Sequence, residues 1–261
     1  MTNKIKVSIV MITKNRANFL PEALGSVLRQ SFQNWELLII DNGSTSQTQE
    51  LIAGYLAGEQ RIFYSRSALL GVGANRNLAL RLAKGEYVAV LDDDDVWLEQ
   101  DKLTEQVAWL DSHLDYCLIG SWVSLINPAG EIIGRQSVPE TDSQIRVSLT
   151  RKDNFIHSSV LYRRQFALEV GGYDESLIVG EDYDLWLKLG LKGKFANWPK
   201  ELAGYRVHPG NMGHGRLKKV LFTGYRVAGR YFKYYPNSFI NHLKWLSSIV
   251  KSSWQANDTI K

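Results

Sequence analysis

Four short apolar runs, Val7 to Thr13, Glu36 to Asp41, Arg61 to Ser65 and Tyr87 to Asp92, alternate with stretches in which apolar residues recur every three or four positions. Those stretches, Phe19 to Gln30, Gln47 to Ala57 and Val72 to Ala83, carry the period of a helix that buries one side, so the first 115 residues read as strand, helix, strand throughout. Such alternation builds a largely parallel sheet with helices on its faces. Three of the runs lead into polar clusters, "TKNR", "DNGS" and "DDDD". In open α/β sheets ligands bind outside the carboxyl ends of the strands, so the three clusters are expected to share one crevice.

After Tyr116 the pattern changes. "YCLIGSWVSLI" is a long β run, "SSVLYRR" a second, and "ANWPKELAGYRVH" reads as two short strands around a proline turn, with a helix from Asp182 to Leu191 among them. The second half is therefore a mixed-sheet elaboration packed on the first. From Arg216 the chain reads helical, in two amphipathic stripes separated by Pro236: Leu217, Val220, Leu221, Ala228, Phe232 and Tyr235, then Phe239, Leu243, Leu246, Val250 and Trp254. The net charge of +4 conceals an asymmetry, because residues 216–261 carry nine Lys and Arg against Asp258 alone and leave an acidic body. No stretch approaches the ~18 apolar residues of a membrane span. The lone Cys117 cannot form an internal disulfide, which fits a reducing compartment.

Asp92, Asp93, Asp94 and Asp95 follow a buried strand directly. Adjacent carboxylates repel, and burial removes the water that screens them, so a positive partner is required. Asp95 can be assigned to capping the helix that follows. The other three suit a hard divalent cation. A second acidic cluster, "VGEDYDLWLKL", places Glu181, Asp182 and Asp184 in the first turn of a helix, where acids also favour the helix dipole. Asp41 ends its strand before an Asn-Gly turn and can accept from a nucleobase or a ribose. In "GVGANRN" the glycines permit close backbone approach and Arg76 can pair with a phosphate. His208 in "YRVHPGN" can supply a nitrogen ligand that suits manganese better than magnesium.

Taken in order, "VSIVMITKNRANFLPEALGSVLRQSFQNWELLIIDNGSTSQT", "GVGANRNLALRLAKGEYVAVLDDDDVW", "VGGYDESLIVGEDYDLWLKL" and "YRVH" resemble the family 2 nucleotide-sugar glycosyltransferases of GT-A fold over roughly residues 5–210. The resemblance implies one α/β GT-A domain over 1–215, with a Rossmann-like nucleotide-sugar half (1–115) and an acceptor half (116–215), followed by a basic aromatic helical tail (216–261). It implies that Thr13, Asp41, Arg76, Asp92 and Asp93 hold the nucleotide-sugar, that Asp94 and His208 hold Mn2+ or Mg2+, and that Asp182 is the catalytic base. Glu181 and Trp186 then lie on the acceptor side. Asp93 departs from the pattern, since many relatives have a small residue between the two aspartates of this element.

The expected reaction is inverting transfer from a nucleoside diphosphate sugar, UDP-linked as a first choice, to a hydroxyl of a carbohydrate or lipid-linked acceptor in polysaccharide or glycolipid synthesis. Nucleic acid is not an expected partner. The chain is expected in the cytoplasm, at the inner membrane face if the tail lies on an anionic bilayer; the competing reading packs the tail's aromatic stripe on the catalytic domain. Two alternatives compete with the transferase: a haloacid-dehalogenase-like phosphatase using Asp92 as nucleophile, and a sugar-nucleotide-binding module without catalysis.

Overall fold

The computed structural model describes residues 4–69, 71–211 and 217–258, residues 252–258 as helix backbone. Strands β1 (Val7–Thr13), β2 (Trp35–Asp41), β3 (Ile62–Arg66) and β4 (Tyr87–Val90) lie parallel in the order β3-β2-β1-β4. Helices α1 (Leu20–Leu28), α2 (Ser46–Gly58) and α3 (Val72–Leu82) make the crossovers. Side chains alternate across a strand, and β1 uses both faces. Val7, Ile9 and Met11 enter one core with Leu20 and Leu24 of α1, whereas Val10 enters a second core with Ala79 and Leu80 of α3. A strand buried on both sides reads as an unbroken apolar run, which is why "VSIVMI" lacks polar alternation.

The second half continues the same sheet. It supplies β5 (Val96–Trp97), α4 (Lys102–Ser112), β6 (Tyr116–Ile126), β7 (Ile132–Gln136), α5 (Asp142–Leu149), a 3-10 turn (His157–Ser159), β8 (Leu161–Arg163), α6 (Arg164–Glu169), α7 (Glu181–Leu189) and β9 (Lys194–Arg206). The described strands follow the order β3-β2-β1-β4-β8-β6-β9-β5, with β7 paired to β6; β8 runs antiparallel to β4. The two halves are thus one mixed sheet with a core on each side. The expected pair of short strands around Pro199 is instead one continuous β9. Its register against β6 jumps from Trp198 to Glu201, so Pro199 sits in a bulge where its missing N–H breaks no ladder bond.

The tail forms α8 (Leu217–Arg230) and α9 (Ser238–Asp258), and both dock on the domain. Tyr231 donates to Asp184 Oδ1 at 2.9 Å, Tyr235 to the Leu187 carbonyl at 2.7 Å and Trp245 Nε1 to the Thr150 carbonyl at 2.9 Å. Gly224 lets α8 and α9 pack closely on each other, because a Cβ there would stand 2.5 Å from the Trp245 ring. The docking face differs from the expected stripes. Gly224, Val227, Ala228, Tyr231, Tyr235 and Trp245 are buried, whereas Leu217, Phe232, Phe239, Leu243, Leu246 and Val250 are exposed. The Trp254 side chain and the boundary at 215/216 lie outside the described residues.

Candidate active site

The three polar clusters meet at the carboxyl edge of the parallel strands. Thr13 is the register partner of Asp41, and the Asn42 amide donates to the Thr13 carbonyl at 2.9 Å. Asn15 N–H donates to Ser44 Oγ at 3.0 Å and Thr45 N–H to Asn15 Oδ1 at 2.8 Å, which ties "TKNR" to "DNGS". Lys14 N–H reaches Asp93 Oδ2 at 3.4 Å, which ties "TKNR" to the aspartates. The Asp41 carboxylate is buried, accepting from Ser44 N–H at 2.7 Å and from the Tyr64 hydroxyl at 2.6 Å. Burial and the Asp41 charge push the Tyr64 hydroxyl up to about 12.

The four adjacent aspartates divide four ways. Asp92 Oδ1 accepts from Arg76 at 3.0 Å, and His157 Nδ1 stands 3.2 Å from both Asp92 oxygens. Burial pushes this carboxyl up, but the charges of His157 and Arg76 outweigh it and hold Asp92 well below the usual carboxylate range. Asp93 is pushed up to about 7 by burial and by Asp94, with Arg16 3.7 Å away as a weak counterweight. Asp94 Oδ2 lies 3.0 Å from His208 Nε2 and 3.6 Å from Arg16. Asp95 caps no helix. It is buried, accepting from Ser158 Oγ at 2.5 Å and from Arg206 N–H at 2.8 Å, while the Arg206 guanidinium donates to the Asp94 carbonyl at 2.7 Å. His157 and Ser158 lie in no site motif legible from the sequence, and Arg16 and Arg206, although inside "TKNR" and "YRVH", carry no local sign of the aspartates they meet.

Helix α7 opens after Gly180, whose φ of +79° is a conformation glycine adopts readily. The three acids of its first turn then point in three directions. Glu181 turns inward and is buried against the Arg76 guanidinium. Asp184 is fully buried, bound by Tyr231, by Lys188 at 2.8 Å and by Arg230 at 3.2 Å. Asp182 alone of the three is half-exposed. Burial, with the Asp182 charge adding to it, pushes Asp153 well above the usual carboxylate range. Two expected roles do not fit this arrangement. Glu181 cannot contact an acceptor while it neutralises buried Arg76, and Arg76, held by Glu181 and Asp92, is not free for a phosphate. Trp186 is a core residue with its ring 5.9 Å from those of His157 and Phe155, so no acceptor ring can stack on it.

Among the described residues no group of three or more acidic, His or Cys side chains could hold a metal ion. The two atoms expected to hold a cation, Asp94 Oδ2 and His208 Nε2, stand 3.0 Å apart. That spacing suits adjacent ligands of an octahedral ion, which at bond lengths of about 2.1 Å lie about 3 Å apart. Oxygens of a bound diphosphate and water would complete the shell. Gly210 N–H donates to His208 Nδ1 at 3.0 Å, which leaves the proton of the neutral ring on Nε2. A cation held on Nε2 would require that proton to move to Nδ1 and the Gly210 N–H to turn away from it.

A sequence model of the family described as Glycosyl transferase family 2 matches residues 8–171. The chain is 29% identical over 237 residues to an uncharacterized glycosyltransferase of Methanocaldococcus jannaschii, covering 88% of this chain and 81% of the relative. It is 30% identical over 221 residues to an uncharacterized glycosyltransferase of Rickettsia conorii, covering 80% of this chain but 34% of that longer relative. By fold it is similar to S. aureus TarS 1-349 in complex with UDP-GlcNAc, with a TM-score of 0.72, 20% identity and coverage of 93% and 72%. The mannosyltransferase PcManGT of Pyrobaculum calidifontis, in complex with GDP-Man and Mn2+, gives a TM-score of 0.66 at 16% identity, with coverage of 99% and 81%. The architecture is of GT-A type, and the phosphatase alternative fails with the fold and the family it required. With its strand-end crevice and its aspartate run, the chain belongs to glycosyl transferase family 2.

Proposed function

We propose that this chain transfers a sugar, with inversion, from a nucleoside diphosphate sugar to an acceptor hydroxyl, in a reaction dependent on a divalent cation. One observation carries the reading: Asp182 is the single acid of its cluster left half-exposed, while its neighbour Glu181 is joined through Arg76 to Asp92 at the donor side. Asp182 accepts the proton of the acceptor hydroxyl. The freed oxygen forms its bond to the anomeric carbon as the bond from that carbon to the diphosphate breaks, and the electron pair leaves with the diphosphate. One displacement inverts the centre and needs no nucleophile on the enzyme. Asp92, already engaged by Arg76 and His157, is unsuited to be one.

Thr13 and Asp41 frame the nucleoside, and Asp92 and Asp93 face the donor's ribose and diphosphate. Asp94 and His208 hold the cation, Mn2+ in preference to Mg2+ because one ligand is an imidazole nitrogen. When bound, the cation offsets the charge that builds on the departing diphosphate. UDP is the proposed nucleotide, and the acceptor is a carbohydrate or lipid-linked chain of cell-surface polysaccharide or glycolipid synthesis. Asp182→Asn tests the reading. The amide keeps the shape but cannot take a proton, so transfer should fall by ~10²–10⁴ while nucleotide-sugar binding persists. Transfer close to the wild-type rate would move the base elsewhere.

A further inference from the structure

Docking consumes one side of the tail and leaves another open. In α9 the inward side carries Ser238, Asn241 and Trp245, all buried. Phe239, Leu243, Leu246 and Val250, spaced four, three and four apart, form a stripe on a different side at 66%, 52%, 43% and 55% exposure. Phe222 of α8 (54%) and Tyr234 in the connection (62%) are exposed as well. A row of large apolar side chains in water marks a surface that is covered in use.

The charge of the same segment decides what covers it. Between Leu217 and Lys251 there are seven Lys and Arg and no Asp or Glu. Arg230 is paired with Asp174 and Asp184; Lys218, Lys219, Arg226, Lys233, Lys244 and Lys251 form no ion pair among the described residues. A symmetric contact between two copies would set this cationic segment against itself. An anionic bilayer accepts both features, since apolar side chains enter the headgroup boundary while lysines meet lipid phosphates. We propose that the outward face of the α8–α9 hairpin lies on the surface of an anionic membrane, without crossing it. No helix among the described residues is long and apolar enough to span one. Tyr231 and Arg230 fasten the hairpin to Asp184, two residues from Asp182, so the bilayer would stand at a fixed place relative to the crevice. The surface is independent of the chemistry proposed for the crevice.

The test is co-sedimentation of the full chain with vesicles of phosphatidylcholine alone or with a quarter phosphatidylglycerol, alongside Phe239→Ser/Leu243→Ser/Leu246→Ser and Lys218→Gln/Lys219→Gln/Lys244→Gln/Lys251→Gln. These positions are exposed and leave the docked face intact. The wild type should bind anionic vesicles at least tenfold more than neutral ones. The serine variant should lose at least tenfold of that binding, and the glutamine variant should lose its salt dependence. Equal sedimentation of wild type and serine variant, absence of anionic-vesicle binding, or a dimer in sedimentation velocity that the serine variant abolishes would each overturn the proposal.

Discussion

The Lys102 ammonium lies 4.4 Å from the centroid of the Trp97 ring and donates to Gln106 Oε1 at 2.8 Å, fully buried and with no carboxylate paired to it among the described residues. Burial pushes this amine down from an ordinary 10.5 to about 7. The sign of the effect follows directly. Between those two values the folded protein binds fewer protons than the unfolded chain, so Lys102 costs stability that is recovered as pH rises across that window, and costs most below about 7. Lys102→Met keeps the stem and removes the charge. It should raise stability at pH 7 by about 1–4 kcal/mol and flatten the rise seen in wild type toward alkaline pH. Urea denaturation of both proteins at pH 7 and above pH 9 checks this; a less stable variant with an unchanged slope refutes it. Residues like this one are hard to read from sequence. "EQDKLTEQ" places a lysine at a helix start among charges, and nothing local says that Lys102 shares a buried face with Leu103 and Gln106. The aspartate run is legible as a group that needs positive charge nearby, but most of the separate partners it finds are not. The resemblance sets His208 with Asp94, but Ser158 and His157 lie 63 and 65 positions from the aspartates they meet, and only the tertiary fold pairs them.

Helix α7 shows what a short element can do when successive residues turn by about 100°. Its first turn meets Arg76 through Glu181 and the tail through Asp184, and leaves Asp182 half-exposed. The acidic cluster and its helix were evident from sequence, and the observed span, Glu181–Leu189, lies within two residues of the expected one. The division of labour was not evident, because it depends on which element each side chain meets. Trp186 is the clearest case: a tryptophan beside carboxylates fits a sugar platform equally well on paper, yet here it faces the core. The hairpin of α8 and α9 posed a similar choice, and it is resolved by splitting: one set of aromatics docks and another remains outside. Asp184 holds the docked side, and hydrogen bonds to a charged group contribute about 1.5–3 kcal/mol. Tyr231→Phe removes one donor from this buried carboxylate without changing the ring. It should lower stability by about that amount and speed proteolytic cutting of the tail, with the domain remaining folded. Unchanged denaturation and unchanged cutting would show that the hairpin is held by other contacts.

At the scale of the whole molecule the crevice belongs to both halves of the chain. Thr13, Arg16, Asp41 and the aspartate run come from the first half, and His157, Arg206 and His208, which meet the aspartates, from the second. The parallel first half was legible because β1, β2 and β4 are buried on both faces; the mixed second half was recognised only as β-rich, since three-residue and two-residue strands such as β8 and β5 carry no period of their own. A ligand that touches both halves stabilises the fold by mass action, by about 2.7 kcal/mol at a hundred times its Kd, which for a chain of this length corresponds to about 5 °C or more in Tm. We therefore expect UDP with Mn2+ to raise Tm by that order and UDP with EDTA to do far less. A diphosphate next to Asp92, Asp93 and Asp94 is repelled unless a cation lies between them. The same argument predicts a proton. Asp93 is pushed up to about 7 because Asp94 is beside it in a buried place, so near neutral pH part of the population carries a proton there. A cation on Asp94 opposes that effect and drives the proton off Asp93, whereas the neutral His208 ring would only move its proton from Nε2 to Nδ1 on becoming a ligand and release none. Binding should accordingly strengthen as pH rises from about 6 to 8. Calorimetry at pH 7 in two buffers of different ionisation enthalpy should show net proton release on adding Mn2+ and UDP. Asp93→Asn should reduce the release, and His208→Gln should weaken the dependence on Mn2+. Proton uptake, or a Tm shift as large in EDTA as in Mn2+, would mean that the aspartates are neutralised by Arg16 and Arg76 alone and that the donor binds without a metal.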